Sequence, residues 1–397
     1  MSVCILPMAE QFGYSDPEKG LIASAFSLGY CLGLAPVGAA ASATSPKAVL
    51  TIGLIVWSLA QAASPAAASA GLPMLLAARA VMGVGEAAAI PSIQAVAANF
   101  VPATSRSSFW GILTASLSCG TIGSYLIAPP LIESRGWEAV FLVFGGVGVV
   151  LAGLWGAIGR AEPAATASIA AAGDAPAAAA VSLDTVPWRQ IASSRPVWAL
   201  TASHASHNFF TYFGLAWLPT YFNYQFGLAT SDASSAALLP FIAGAIGSLS
   251  SGAACDALVA RANVSQTDAR KILQTIGCLG PALSMLALFL ISEGVGGLTL
   301  SREAAEALFV FAIGSSAASA AGFGCGAQDI STRLSSLIYG ASSVAGVVAG
   351  ATSQYLTGWL LEANGRDFGP IFGLMTGVEL LGALAFCAWW SSEPEFE

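Results

Sequence analysis

Long apolar stretches, separated by short polar or glycine-containing breaks, dominate the sequence from residue 18 onward. A helix needs about 20 apolar residues to cross the hydrocarbon core of a bilayer, so each stretch predicts one membrane-spanning helix. The first predicted spans are 18–41, 47–64, 71–98, 107–131 and 137–159. The second set is 196–223, 233–255, 271–292, 303–328, 332–361 and 370–391. The pattern therefore predicts an all-α membrane protein.

One further helix is predicted only in part, at the start of the chain. Residues 1–12 are apolar but would form about 18 Å of helix, which is too short to span a bilayer. They also lack the basic region and cleavage site of a signal peptide. We expect them to be the second part of a first helix that begins upstream of Met1.

A change of composition divides the predicted helices into two groups. Residues 160–195 are rich in Ala, Pro, Ser and Asp, which is typical of a flexible linker. The predicted organisation is an N-terminal six-helix bundle at 1–159, with its first helix partial, and a C-terminal six-helix bundle at 196–391. A tail follows at 392–397. Twelve transmembrane helices in two pseudo-symmetric halves are thus expected.

Composition and charge support this prediction and orient it. Hydrophobic residues make up 56% of the 397 residues and charged residues 9%, far below the about 25% of soluble domains. With the linker on the cytoplasmic face, nine basic residues lie on that side and four on the other, which agrees with the positive-inside rule. The first set is Lys47, Arg106, Arg160, Arg189, Arg195, Arg261, Arg270, Lys271 and Arg333; the second is Lys19, Arg135, Arg302 and Arg366. No basic patch suggests a nucleic-acid partner.

Two ionisable residues within the span 71–98 are candidates for function, because charges inside a membrane are expensive. Arg79 and Glu86 are seven residues apart, so two helical turns bring both side chains to one face, about 10 Å apart. In the functional interpretation, Arg79 binds an anion and Glu86 gains and loses a proton. The alternative is a structural ion pair, with each other or with a neighbouring helix.

A second group of candidates lies on the span 196–223. His204 and His207 share one face, with Asn208 beside them; they suit proton-dependent anion binding, or a neutral helix contact. Tyr30, on the span 18–41, is a candidate for the cavity wall or for an aromatic core. Glu379 lies in the middle of the last span, and the sequence assigns it no role.

The sequence contains no motif for nucleotide-driven transport or for catalysis. We find no Walker A pattern and neither a Gly-x-Ser-x-Gly nor a His-Glu-x-x-His pattern. The seven cysteines lack metal-ligand spacing, so no metal or cofactor is expected. Transport would then be driven by an ion gradient or by exchange, and the protein is not expected to be an enzyme.

Several motifs resemble the anion–cation symporter family of the major facilitator proteins, which includes vesicular glutamate transporters, sialin and phosphate transporters. They are KGLIASAFSLGY, RAVMGVGEAAAIPS, GWEAVFLVFG, HASHNFFTYFGLAWLPTYF and AQDISTR, in the family's order. The stretches RKILQTIG and HASHN are most similar to the plastid phosphate transporters of plants and algae. The resemblance implies the major facilitator fold.

The resemblance also implies roles for individual residues. Arg79 and Glu86 match the family's anion-binding arginine and coupling glutamate, and Asp256 and Arg261 match a cytoplasmic gate. His207 occupies a position where glutamate-transporting members have arginine, which favours phosphate or another small anion. Two features depart from the family: its first-helix arginine would lie upstream of Met1, and the loop GAAASATSPKAV lacks the usual Asp and Arg.

The sequence thus predicts a monomeric secondary transporter in the lipid bilayer that moves a small anion, with inorganic phosphate as the first candidate and Na⁺ or H⁺ as coupling ion. The resemblance suggests the plastid envelope or thylakoid. Two alternatives stay open. One is an organic-anion transporter for ascorbate, a sugar acid or an amino acid, and the other is a non-transporting relic or scaffold protein.

Overall fold

The computed structural model describes residues 1–100, 106–159, 186–262, 264–331 and 334–396, and these residues form helices and short 3₁₀ turns without any strand. The helices of the first half are α1 Ile5–Phe12, α2 Asp16–Ala43, α3 Pro46–Ala70, α4 Leu72–Glu86, α5 Ala89–Phe100, α6 Arg106–Arg135 and α7 Trp137–Ile158. Those of the second half are α8 Trp188–Ser193, α9 Arg195–Phe226, α10 Thr230–Arg261, α11 Gln266–Ser292, α12 Arg302–Ser316, α13 Gly326–Ile330, α14 Ser335–Ala363 and α15 Gly369–Trp389. The prediction of an all-α protein is confirmed.

The predicted spans correspond to helices throughout the described residues. Seven helical stretches are long and apolar enough to cross a membrane: Pro46–Ala70, Leu72–Ile93, Trp137–Ile158, Thr230–Ala260, Gln266–Ser292, Arg302–Ile330 and Gly369–Trp389. The other four predicted spans lie on α2, α6, α9 and α14, which contain 28 to 32 residues each. Residues 1–12 form the short helix α1, whose Met8 is completely buried.

Two predicted spans are interrupted. The span 71–98 breaks into α4 and α5 at a two-residue turn after Glu86. The span 303–328 breaks into α12 and α13 through the 3₁₀ turns Ala317–Ala320 and Phe323–Cys325. The glycines at 322, 324 and 326 weaken the helix there. The Phe323 N–H, which is free of the helix, donates a hydrogen bond of 3.1 Å to the side chain of Gln274 on α11. The break therefore depends on a partner 49 residues away.

The predicted linker and tail differ from the structure in their described parts. Residues 160–185 of the linker lie outside the described residues, but residues 188–195 already belong to α8 and α9. Ile191 on α8 and Phe396 in the tail are buried in one cluster. The Phe396 carbonyl accepts a hydrogen bond of 2.6 Å from Ser331, and the Glu395 N–H donates one of 2.8 Å to Ile330. Large apolar side chains thus hold both segments on the second half.

The helices pack into two halves that meet along two pairs of helices. In the first half α3 packs against α4 and α7, and α2 packs against α4. In the second half α9 packs against α14 and α15, and α11 packs against α12 and α15. The pairs α2–α14 and α6–α10 join the halves. A cavity between the halves is therefore bordered by helices of both.

The halves are in close contact at the end opposite the linker. A Cβ built at Gly20 of α2 would lie 2.5 Å from the carbonyl oxygen of Gln354 on α14, and one at Gly358 would clash with the carbonyl oxygen of Asp16. Only glycine allows the two backbones to approach so closely. This contact closes that end of the space between the halves.

An ionic cluster reinforces this closed end, and we call it the Asp16 cluster: Asp16, Lys19, Tyr224 and Arg366. The buried Asp16 carboxylate accepts hydrogen bonds from Lys19 Nζ at 2.7 Å, the Tyr224 hydroxyl at 2.6 Å and Arg366 Nε at 3.3 Å. Lys19 also donates to the Tyr224 hydroxyl oxygen. Because Asp16 and Lys19 belong to the first half and the other two to the second, the cluster ties the halves together.

Replacing Gly358 by Val is expected to destabilise the protein, because the added side chain cannot occupy the backbone contact between α2 and α14. Overpacking of this kind costs about 1–3 kcal/mol. The matched control is Gly340→Val on the same helix, where a Cβ meets nothing within 4 Å. The thermal unfolding temperature in detergent measures the effect. Equal melting temperatures for the two variants would contradict the proposed close contact.

Replacing Asp16 by Asn is expected to open the same end, because it removes the charge that holds Lys19 and Arg366. Weakened charge-assisted hydrogen bonds would destabilise the closed state by about 1–3 kcal/mol. Spin labels at positions 18 and 362, one on each half, should then show an added population at longer distance. The control is Asp232→Asn, an exposed acid near the start of α10 at the same end of the molecule. Identical distance distributions in the two variants would rule out the Asp16 cluster as a gate.

Candidate functional site

A cavity of about 450 Å³ lies between the two halves. Its wall is mostly apolar, with a few polar side chains, as is typical of binding sites for small molecules. Helices α1, α2, α4, α5 and α6 of the first half and α9 and α14 of the second contribute to it. The polar and aromatic residues of its wall include Phe26, Ser27, Tyr30, Arg79, Glu86, Trp217 and Gln354.

Arg79 is the residue that distinguishes this cavity. Its side chain borders the cavity, although the residue is only 7% exposed. The Nη1 group contacts the Met82 sulfur at 3.1 Å, the Cζ atom lies 5.1 Å from the centre of the Phe26 ring, and Nε has no hydrogen-bond partner. Within the described residues no carboxylate oxygen lies within 4.0 Å of its nitrogens. The guanidinium is therefore buried without a carboxylate in direct contact among the described residues.

Comparison with the other buried cations shows how unusual this is. In the described part of the chain, Lys19 and Arg270 are also less than 9% exposed. Lys19 pairs with Asp16 at 2.7 Å and Arg270 pairs with Asp329 at 2.8 Å. Arg79 has no such partner, and an unpaired buried charge is strongly unfavourable. An anion in the cavity would supply the missing charge.

Glu86 borders the same cavity at the end of α4, but it does not pair with Arg79. The structural ion pair, which was the alternative interpretation of the sequence, is therefore absent between these two residues. Gly83 and Gly85 hold α4 between its neighbours: a Cβ at Gly83 would clash with the Phe26 carbonyl, and one at Gly85 would lie 2.8 Å from the Trp57 nitrogen. This packing orients the cavity face of α4. Carboxylate and guanidinium thus share one apolar cavity without direct contact and interact only through space.

The predicted residues of α9 lie in a second cavity of about 490 Å³. His204, His207 and Asn208 line it, together with Phe323 from the broken segment. The Phe323 ring centre is 4.9 Å from that of His204 and 5.6 Å from that of His207. His204 Nδ1 is 3.2 Å from the Ser342 hydroxyl, and His207 Nε2 is 3.4 Å from that of Thr211. The two histidines therefore sit against aromatic and hydroxyl groups.

The predicted substrate-binding set is thus divided between two neighbouring spaces. Tyr30 lies with Arg79 and Glu86 in the first cavity, whereas His207 and Asn208 lie in the second. Both cavities are bordered by Leu117 of α6 and Leu215 of α9, so these two side chains stand between them. Spacing along one helix predicts a shared face, but it does not show which neighbouring helices close the space.

Gln354 is one of several polar residues of the first cavity that the sequence did not point to. Gln354 of α14 accepts a hydrogen bond of 3.1 Å from Ser27 on α2 through its side chain, and its backbone carbonyl accepts one of 3.0 Å from the Trp217 indole. It therefore joins both halves at the cavity wall. The available signal was a glutamine in the middle of an apolar helix, which requires a partner within the membrane.

The predicted cytoplasmic gate is described only in part. Asp256 is an exposed residue of α10, while the side chain of Arg261 lies outside what the structure describes, as does Arg333. The ion pair at this end instead joins Asp329 to Arg270, through contacts of 2.8 Å and 3.2 Å. Arg270 also donates a hydrogen bond of 2.7 Å to the Ala321 carbonyl. This pair holds the broken segment onto α11 within the second half.

Solved structures of low sequence identity share this fold. A bacterial homolog of the human lysosomal transporter Spinster, in an inward-facing and unoccupied conformation, superposes with a TM-score of 0.75 at 18% identity, covering 98% of this chain and 94% of that one. A D-xylose–proton symporter superposes with a TM-score of 0.70 at 16% identity, covering 98% and 91%. At this identity the similarity shows the fold alone.

Relatives of known name are more similar in sequence. Probable anion transporter 4, chloroplastic, from Oryza sativa subsp. japonica is 34% identical over 100% of this chain and 66% of its own length. From Arabidopsis thaliana, sodium-dependent phosphate transport protein 1, chloroplastic, is 34% identical over 97% of this chain and 74% of its own. The Arabidopsis thaliana ascorbate transporter, chloroplastic, is 33% identical over 97% and 70%. The chain thus spans about two thirds to three quarters of the length of these relatives.

The comparison with protein families agrees with both results. Residues 1–354 match the Major Facilitator Superfamily. This match extends from α1 into α14 and so includes both cavities and most of the Asp16 cluster. Because the match covers most of the chain and the helices are long and apolar, the chain is a multi-pass membrane protein that belongs to the Major Facilitator Superfamily.

Proposed function

We propose that the protein is a secondary active transporter that carries a small anion, with inorganic phosphate as the first candidate, in symport with H⁺ or Na⁺. The observation that carries this proposal is the Arg79 guanidinium, which borders the cavity between the halves without a carboxylate partner among the described residues. The names of the similar plant proteins, which include an anion transporter and a sodium-dependent phosphate transport protein, support the same class of substrate.

Anion binding would use Arg79 as the central contact. A guanidinium forms paired, charge-assisted hydrogen bonds with a phosphate or carboxylate group, and its unpartnered Nε is available for one of them. The hydroxyl of Tyr30 borders the same cavity and is a further donor. The apolar wall lowers the local polarity, which strengthens each of these contacts relative to water. A small anion would therefore be held without a large polar surface.

Glu86 provides a physical basis for coupling to a cation. An ionised Glu86 carboxylate in the same apolar cavity repels an incoming anion, whereas a protonated or Na⁺-bound Glu86 does not. Cation binding at Glu86 then raises the affinity for the anion at Arg79. By linkage, the anion raises the affinity for the cation by the same factor. This reciprocal effect is the requirement for symport.

Alternating access would follow from rocking of the two halves around the cavity. Contacts that close one end are concentrated in the Asp16 cluster and in the backbone approach of α2 to α14. Opening this end requires separating Asp16 from Tyr224 and Arg366, which lie on the other half. Since the similar relatives described above are chloroplastic proteins, we propose that this cycle takes place in a plastid membrane.

An organic anion is the second candidate substrate. The cavity of His207 and Asn208 adjoins the Arg79 cavity at Leu117 and Leu215 and offers aromatic and polar contacts beyond those that phosphate needs. An organic acid with its charged group at Arg79 would extend into this space when the two leucine side chains move. One similar relative is an ascorbate transporter, which makes ascorbate the first organic anion to test.

The Arg79→Gln variant is expected to lose gradient-driven phosphate uptake by about tenfold or more in proteoliposomes. Losing a charge-assisted hydrogen bond costs about 1.5–3 kcal/mol, and 1.4 kcal/mol corresponds to a factor of ten. Uptake of radiolabelled phosphate under imposed proton and sodium gradients measures this effect. Arg135→Gln, an exposed arginine at the end of α6, is the matched control.

Two results of the same assay would change the conclusion. Undiminished uptake by the Arg79→Gln variant would remove Arg79 from the anion site. Absence of phosphate uptake by the wild-type protein, together with Arg79-dependent uptake of ascorbate, would exclude phosphate and support the organic-anion alternative.

The Glu86→Gln variant is expected to separate anion binding from coupling, because glutamine is neutral and cannot carry a cation. Accumulation of phosphate against its gradient should be lost, while exchange of internal for external phosphate should continue. Counterflow of radiolabelled phosphate measures the second activity. Glu133→Gln, at an exposed position of α6, serves as control. Normal gradient-driven accumulation in Glu86→Gln would show that coupling resides elsewhere.

A further inference from the structure

A carboxyl group lies deep within the second half, away from both cavities. Glu379 is near the midpoint of α15, in an otherwise apolar helix, and only 1% of the residue is exposed. Both of its oxygens lack a hydrogen-bond partner within the described residues. It does not line the Arg79 cavity or the His207 cavity. The proposed anion site therefore leaves this residue without a role.

Helices α9 and α11 pack against α15 around Glu379. The Cys278 thiol on α11 lies beside the carboxyl group and is the titratable group that faces it there. Ser206 on α9 lies beside Cys278, and α9 approaches α15 closely, since a Cβ at Gly382 would clash with the Ser206 hydroxyl. From α9, α11 and α14, no described Lys, Arg or His nitrogen lies within 4.0 Å of the Glu379 oxygens.

These surroundings determine the charge of Glu379. A carboxylate without counter-charge, with a weakly donating thiol beside it, is strongly disfavoured in an apolar interior, so the group takes up a proton. A metal ion such as Na⁺ would instead need several oxygen ligands, because hard cations prefer oxygen. The neighbouring thiol sulfur is a poor ligand of that kind. A proton requires only the carboxylate itself.

We propose that Glu379 is a second proton-binding site, which is loaded in this conformation and exchanges its proton during the transport cycle. This inference rests on the proposed ion-coupled transport. Helix α9 connects the two sites: it directs Ser206 toward α15 and the adjacent His207 and Asn208 toward the second cavity. A shift of α9 when the anion binds therefore changes the packing around Glu379. Glu86 and Glu379 would then load one proton in each half.

Infrared spectroscopy tests the protonation of Glu379 without any transport. The purified protein should show the carbonyl stretch of a protonated carboxylic acid that lacks hydrogen bonds, and the band should be lost in Glu379→Gln. Glu362→Gln, at an exposed position of the same half, should retain it. Transfer of the wild-type protein to D₂O should shift the band as the proton exchanges. If the difference spectrum between wild type and Glu379→Gln contains no such band, or if the band does not shift in D₂O, the proposal is overturned; a band from protonated Glu86 cancels in this difference.

Proton counting in proteoliposomes tests whether this proton is carried. An internal pH dye and radiolabelled phosphate together give the number of protons taken up per phosphate. In Glu379→Gln this ratio should fall by about one proton, while phosphate exchange without net proton movement continues. The same ratio in Glu379→Gln and wild type overturns the proposal. If the wild type does not transport phosphate, the proposed substrate is wrong, and deuterium exchange of the Glu379 proton still decides this inference.

Discussion

The unpaired guanidinium of Arg79 is the constraint on which the proposed mechanism depends. Arginine cannot release its proton at any pH that a cell provides, so its charge persists wherever the fold places it. Lys19 and Arg270, the other buried cations of the described chain, have carboxylate partners within 2.8 Å. Arg79 has an aromatic ring, a sulfur atom and a cavity. A bound anion would balance this charge by direct contact, which Glu86 in the same cavity does not make.

Glu379 presents the opposite case, and the comparison explains why the two residues have different ligands. Both are buried, and both lack a partner of opposite charge among the described residues. A carboxylate can remove its own charge by binding a proton, whereas a guanidinium must be neutralised by another molecule. The same unfavourable burial therefore selects an anion at one site and a proton at the other. Glu86 is less buried than Arg79 and Glu379, because it lies half-buried at the cavity wall.

The sequence was sufficient to predict features that depend on local periodicity and composition. The helical spans follow from runs of apolar residues, and membership of the Major Facilitator Superfamily, predicted from motifs, is confirmed. The shared cavity of Arg79 and Glu86 follows from a spacing of two helical turns. The assignment of these residues to substrate and coupling ion stays a prediction.

Features that depend on distant contacts could not be predicted in this way. The break between α12 and α13 requires Gln274 on another helix, and Asp329 pairs with Arg270, 59 residues earlier in the chain. The separation of His207 from Arg79 depends on leucines contributed by α6 and α9. Each feature joins residues that are far apart in the chain, so no local pattern marks it.

Helix α9 touches every part of the proposed mechanism. Its 32 residues extend for about 48 Å. From the linker end outward, Ser206 faces α15, His207 lines the second cavity, Trp217 binds the carbonyl of Gln354, and Tyr224 binds Asp16. Pro219 removes one backbone hydrogen bond between Trp217 and Tyr224, but the helix continues through it to Phe226. A displacement at one contact is therefore transmitted along the helix to the others. Separation of Tyr224 from Asp16 at the closed end and a change in packing at Glu379 are therefore two consequences of one motion. This connection gives a physical route by which an anion in the cavity, a proton on α15 and the Asp16 cluster at the closed end influence one another.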